Sequence, residues 1–219
     1  MDETKLGDGC ALKDDDASEQ LPTDSEKSTE AGQGGQKVRP WVVSSWREVY
    51  TSRVLSLREQ EASSTISQKQ TVFNVLHCPG WVNIIALTPE KEVPLVRQYR
   101  AGSDAVSLEI PGGMMDPGDG DPKEAALREL VEETGYTGNS AREIGRIRPN
   151  PALQDNICYT YLVEDAYRIG DPVPDTHEEI SVELCPLSEI PKLIGSGAID
   201  HSLVVVAFVW LLGLRQDAF

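Results

Sequence analysis

Residues 121–135, DPKEAALRELVEETG, constrain this chain more than any other stretch. Asp121 can cap a helix, Pro122 suits its first position and Gly135 its end, so the segment predicts an α-helix. At about 100° per residue, Ala126, Leu127, Leu130, Val131 and Thr134 share one side, while Glu129, Glu132 and Glu133 crowd onto the other. Glu129 and Glu133 stand one turn apart, where like charges repel. A solvated acidic surface is the ordinary explanation of such an arc. Two neighbours in sequence speak against it. Gly112 and Gly113 strip side chains from the approach to the helix, so that a backbone carbonyl can come close. Arg128 lies between the two arcs, within reach of Glu124 or Glu132. An all-carboxylate cluster is what Mg²⁺ or Mn²⁺ prefers.

The overall charge makes such a cation matter. The chain has 219 residues, a net charge of -16 and a pI near 4.5. It has no bulk attraction for nucleic acid or anionic membrane, and neither is expected as a partner. A phosphate compound would need a local reversal of sign, which a bound cation supplies. Cys10, Cys78, Cys158 and Cys185 are widely spaced, which fits a thiol-keeping compartment. With acidic Asp2 and Glu3 and no apolar leader, the expected location is the cytoplasm, or the nucleus. The apolar run Leu203–Leu214 is too short to span a bilayer and is expected to be buried.

Residues 1–39 hold ten acids, five bases and few large apolar groups. They read as a disordered acidic tail, ahead of a domain over 40–219. From Trp41 the pattern turns strand-like. Strands are expected within 41–62 and at 71–78, 81–88, 92–100, 105–111, 142–148, 157–167 and 178–187. Helices are expected at 121–135, from about 188, and over about 200–214. Strand-rich segments with interspersed helices give an α+β layered domain.

The run GGMMDPGDGDPKEAALRELVEETGY resembles the Nudix box, G-x5-E-x7-R-E-U-x-E-E-x-G-U, of the Nudix hydrolases. Arg128, Glu129, Leu130, Glu132, Glu133 and Gly135 match its second half. The first half departs. Asp119 stands where the family has Glu, and eight residues rather than seven separate it from Arg128, as if one residue near Gly120 were inserted. Restoring the shorter loop with a Glu is expected to bring that carboxylate back towards Arg128. LVRQYR followed by LEIPGG, Pro151, and the segment HEEISVELCPL are similar to the ADP-ribose pyrophosphatase branch.

The resemblance implies the Nudix fold, a mixed β-sheet sandwiched between α-helices. It also implies Mg²⁺- or Mn²⁺-dependent hydrolysis of the diphosphate bond of ADP-ribose or a related nucleoside diphosphate sugar, and a homodimer. It assigns metal ligation to Glu129 and Glu133, with Glu132 beside them and the Gly112 carbonyl as a backbone ligand. Glu178, or Glu179 as the alternative, would bind metal, act as general base, or both. Arg128 would be structural support, and Glu109 a further candidate near the metals. Arg100, Arg97, Met114 and Asn150 are expected at the substrate, and Trp46, Trp41 or Trp81 on a purine. His77, His177 and His201 have no metal spacing and read as incidental. A GDP-mannose or other sugar-nucleotide hydrolase, and a non-catalytic nucleotide-binding protein on the same fold, stay open as alternatives.

Overall fold

A computed structural model describes residues 38–116, 118–173 and 178–213 of the chain. The expected disordered tail, apart from its last two residues, lies outside the described residues, as does His177. Twelve strands and three α-helices are described. The chain begins with β1 (Trp41–Thr51), β2 (Ser56–Ser64) and β3 (Gln70–His77), an antiparallel three-stranded sheet. Next come β4 (Trp81–Leu87), β5 (Glu92–Arg100), β6 (Ala105–Glu109), β7 (Gly112–Met114) and α1 (Pro122–Thr134). β8 (Tyr136–Thr137), β9 (Ala141–Ile147), β10 (Cys158–Glu164), β11 (Tyr167–Arg168) and β12 (Ile180–Pro186) follow. After a 3-10 turn at Leu187–Glu189, α2 (Ile190–Gly195) and α3 (Ser202–Leu211) complete the order.

The layered centre is the mixed sheet β7-β4-β10-β9, in which β4 and β10 run parallel and the other pairs antiparallel. β4 explains the sandwich. Its side chains alternate between faces, and from Val82 to Leu87 every one is buried. Val82, Ile84 and Ala86 pack with Ala125, Ala126 and Leu130 of α1. Ile85 and Leu87 point the other way, into a core with Ile190, Ile199, Val204, Ala207 and Phe208 from the α2–α3 region. Helices cover both faces, so the strand reads as a continuous apolar run instead of alternating. Each large side chain so buried contributes about 1.5–3 kcal/mol. A second antiparallel sheet, β12-β5-β6, carries Arg100 and Glu109.

The structure adds to the sequence reading at three points. The Gly112–Gly113 pair, on the approach to the helix and outside the expected strand 105–111, belongs to β7, whose register sets Gly112 against Asn83 and Gly113 against Val82. The expected strand 157–167 is two, β10 and β11, broken where Asp165 adopts a positive φ of 52°. β1 is a strand as expected, but every residue of it is exposed, including Trp41, Val43, Trp46 and Tyr50.

Candidate active site

α1 is built as its sequence predicts. Asp121 caps it, its side chain accepting from the Lys123 amide at 2.8 Å. Gly135 closes it with φ 73°, a left-handed conformation that Gly adopts without strain, its N–H bonded to Val131 O. What the helical wheel does not predict is the burial of the acids. Glu129 and Glu133 count among the buried residues of α1, with Glu133 only 1% exposed.

The glycines of β7 make that burial feasible. A Cβ at Gly113 would collide with the Glu129 carboxylate, and one at Gly112 with the Val82 carbonyl and the Asn83 side chain. The expectation assigned the Gly112 carbonyl to the site. The structure adds a contact of the Gly112 amide, which donates to Glu133 Oε2 at 2.9 Å. The missing side chains thus admit the carboxylates themselves.

Arg128 holds the rim. Its Nη1 lies 2.9 Å from Glu132 Oε2 and 3.1 Å from Glu129 Oε1. Its Nη2 donates to Asp119 Oδ2 at 3.2 Å. The longer loop therefore does not pull Asp119 away from Arg128. Asp119 Oδ2 also accepts from the Asp116 amide at 2.7 Å, which folds the loop back towards the helix. No bond to Glu124 is needed.

One cation does not balance these acids. Burial pushes the Glu133 carboxyl up to about 8, and Glu129 and Glu178 add repulsion against the Gly112 bond and the charge of Arg100. Burial likewise raises Glu129 to about 7, with Arg128 opposing and Glu132 and Glu178 reinforcing. Glu178 is exposed, yet its charge is felt at both buried acids and at Arg100. Among the described residues, no three His, Cys, Asp or Glu side chains are already gathered as a metal site. By donor chemistry Glu129, Glu132, Glu133 and Glu178 nonetheless suit a hard divalent cation. All their donors are oxygens, and the charge repulsion at the two buried acids would be relieved by one.

A cavity of about 480 Å³ is lined by Trp81, Arg100, Pro149, Asn150, Gln154, Asn156, His201, Ser202 and Leu203; none of the acids lines it, and Arg100, whose charge is felt at Glu133, is its link to them. Arg100 lies over the Trp81 ring, 5.7 Å from its centroid. Its Nε and Nη2 donate to the two oxygens of Glu109 at 2.8 and 2.7 Å. Burial favours the neutral form of Glu109, but the hydrogen bonds and charges of Arg100 and His201 bring it down to about 2.

The candidate residues thus divide. Arg100 and Asn150 line the cavity, Glu109 supports Arg100, and Met114 sits opposite Trp81 in the β4–β7 register. Arg97 is turned away into an exposed pair with Glu183 at 2.9 Å, because odd positions of β5 at this end face solvent. Trp46 is on β1, 4.6 Å under Arg58, and lines a separate shallow cavity with Ser45, Arg47 and Glu59. Trp41 packs edge-on against Phe73. His201 is not incidental, since it lines the cavity with Nδ1 3.3 Å from Glu109 Oε2. Ninety-one residues separate His201 from Glu109, and no spacing motif could have joined them.

A mixed sheet between helices, carrying R-E-L-x-E-E-x-G on the helix beside a Gly-Gly strand, defines a class. The NUDIX domain family matches residues 80–205, more than half of the chain, and the protein belongs to that family of hydrolases. An ADP-ribose pyrophosphatase of Bacillus subtilis (strain 168) is 27% identical over 165 residues, covering 75% of this chain and 88% of its own. A mouse ADP-sugar pyrophosphatase is 33% identical over 129 residues, 56% of this chain and 58% of that protein. A crystal structure of an ADP compounds hydrolase shares the fold, with a TM-score of 0.70 at 19% identity over 81% of this chain and 95% of that one. Among the described residues no helix is long and apolar enough to cross a membrane.

Proposed function

We propose that this chain hydrolyses the diphosphate bond of ADP-ribose or a related nucleoside diphosphate sugar, giving a nucleoside monophosphate and a sugar phosphate. One observation carries the reading. Arg100 lines the cavity, and its charge also acts on Glu133, so one guanidinium connects a ligand-sized space to an under-compensated acid pair. Relatives named ADP-ribose pyrophosphatase and GDP-mannose pyrophosphatase support the substrate class.

Glu129, Glu133, Glu132 and Glu178 would hold Mg²⁺ or Mn²⁺. The bound cation would neutralise diphosphate charge and lower the pKa of the attacking water. Arg100 binds the diphosphate and helps to fix its orientation. Glu178, which is exposed, takes the proton from water as the water oxygen bonds to phosphorus and the bridging P–O bond breaks. Arg128 keeps the acid helix against the loop through Asp119. Asn150 and Met114 complete the substrate surroundings.

The domain is taken to span 40–219, and the protein to act as a homodimer. The exposed Trp41, Val43, Trp46 and Tyr50 of β1 support self-association, which sedimentation equilibrium tests directly. The activity is tested by incubating the protein with ADP-ribose, GDP-mannose and NADH, with and without Mg²⁺. Metal-dependent release of AMP and ribose 5-phosphate is expected. Turnover of GDP-mannose alone would move the assignment to that sugar nucleotide, and binding without any turnover would make the protein a nucleotide-binding module.

A further inference from the structure

His201 occupies the N-cap position of α3, where its backbone carbonyl accepts from the Val204 and Val205 amides, each at 3.0 Å. Its side chain makes no capping bond. The backbone therefore fixes the residue while leaving the imidazole available for other contacts. That imidazole faces two ways. Nδ1 is buried without a hydrogen-bond partner of good geometry, and stands 3.3 Å from Glu109 Oε2, the oxygen that also receives Arg100 Nη2. Yet the side chain as a whole is 33% exposed and lines the cavity. Since Nδ1 is buried, the exposure belongs to the rest of the ring. In the tautomer whose Nδ1 proton faces the carboxylate, Nε2 is an acceptor.

The chemistry around it narrows what the cavity wants. Asn150, Gln154, Asn156 and Ser202 offer amides and a hydroxyl, and Asn156 Oδ1 is buried without a hydrogen-bond partner. Groups that both donate and accept suit vicinal hydroxyls better than the flat face of a base. Trp81, the one aromatic lining residue, already has Arg100 over its ring.

We propose that His201 is a positioning and specificity residue, tying the Glu109–Arg100 clamp with Nδ1 and accepting a hydroxyl of the substrate's sugar with Nε2. This rests on the nucleoside diphosphate sugar reading above. A small turn of the ring would bring Nδ1 onto Glu109 Oε2, beside the oxygen and nitrogen atoms through which Arg100 is already engaged.

The experiment compares wild type, His201→Ala and His201→Asn, the last placing an amide nitrogen where Nδ1 was. Kinetics with ADP-ribose and Mg²⁺, the inhibition constant of ADP, and calorimetric titration of ADP-ribose in EDTA are measured on the full chain. His201→Ala is expected to raise KM for ADP-ribose about tenfold, with kcat within about threefold, the pattern of lost ground-state binding. Its weakening of ADP inhibition should be smaller, about threefold, because ADP has no terminal sugar. His201→Asn should restore ADP inhibition but not the ADP-ribose KM. An Ala variant with KM within twofold of wild type, or one that lowers only melting temperature and kcat, overturns the proposal. So does an Asn variant that restores KM fully, which would leave the Nε2 contact without a role. Absence of turnover in wild type would instead refute the functional reading. The calorimetric affinities then decide the His201 proposal alone, which fails if Ala and wild type bind ADP-ribose equally.

Discussion

Glu109 and Glu133 are equally hidden from water, at 2% and 1% exposed, yet they ionise in opposite senses. Glu109 receives two hydrogen bonds from Arg100, and its carboxyl falls to about 2. Glu133 receives one backbone amide and faces two other acids, and its carboxyl rises to about 8. Burial acts the same way on both. The difference is whether the fold supplies a dedicated cation. At Glu109 the charge is matched from within, by Arg100. At Glu133 and Glu129 the fold leaves a deficit of positive charge, and a deficit is what lets a site take up an external cation.

The largest expected effect comes from removing one acid of the under-compensated pair. Glu133→Gln keeps the volume and should cut turnover at saturating Mg²⁺ by at least about a hundredfold, out of the several kcal/mol a bound cation contributes. The metal-free variant should melt at or above the wild-type temperature, because repulsion with Glu129 is relieved. Wild-type turnover in this variant would remove Glu133 from the proposed metal set.

Next in size is the pH response of the metal-free protein. Glu129 and Glu133 are raised to about 7 and about 8 in the fold. A raised carboxyl contributes stability that is full below the unfolded value of about 4.3 and is lost as pH rises through the folded value. The stability of the protein in EDTA, and with it the melting temperature, should therefore fall between about pH 4.3 and about pH 8, by an amount on the order of a few kcal/mol for the coupled pair. Saturating Mg²⁺ should flatten the slope. Glu109 has the opposite sign: its stabilisation is full above the unfolded value of about 4.3 and is lost as pH falls from there through about 2. A melting temperature that rises with pH over the upper window would contradict the contrast between the two sites.

Glu109→Gln probes the matched pair. It leaves Arg100 with half its partners, and chemical denaturation should show a loss of about 2–3 kcal/mol, moderated because Arg100 keeps partial contact with water. A neutral result would mean that the pair matters only to the ligand. The smallest effect belongs to Asp119→Asn, which weakens one of several partners of Arg128 and should cost under about 1 kcal/mol. Removing Gly120 together with Asp119→Glu, which restores the shorter loop, should bring no gain in kcat, since Asp119 already reaches Arg128. A several-fold gain would revive the view of the loop as a defect.

The helix ends of α1, the strand β4 and the acid set on one helical arc were all readable from the chain, because caps, apolar runs and helical spacing are local properties. Asp121 capped the helix and Gly135 ended it as their chemistry requires. The three-dimensional meaning of the acids was not readable. A helical wheel places Glu129 and Glu133 on one side, but whether that side meets water or β7 depends on strands joined by long-range register. The same holds for Arg97 and Arg100, three residues apart on β5: one pairs with exposed Glu183 and the other with buried Glu109.

By itself the sequence determined the class, since R-E-L-x-E-E-x-G after a Gly-Gly pair is a short-range pattern whose chemistry survives an altered loop. It also determined the net acidity that makes a cation necessary for a phosphate ligand. Tertiary structure decided which carboxyl is neutralised from within and which is left in deficit. It also decided that His201, from the start of α3, meets Glu109 at the end of β6. The physical reason is the same in both cases. A pKa, a clamp or a cavity wall depends on distances of a few ångströms between residues far apart in the chain, and only the packed fold sets those distances.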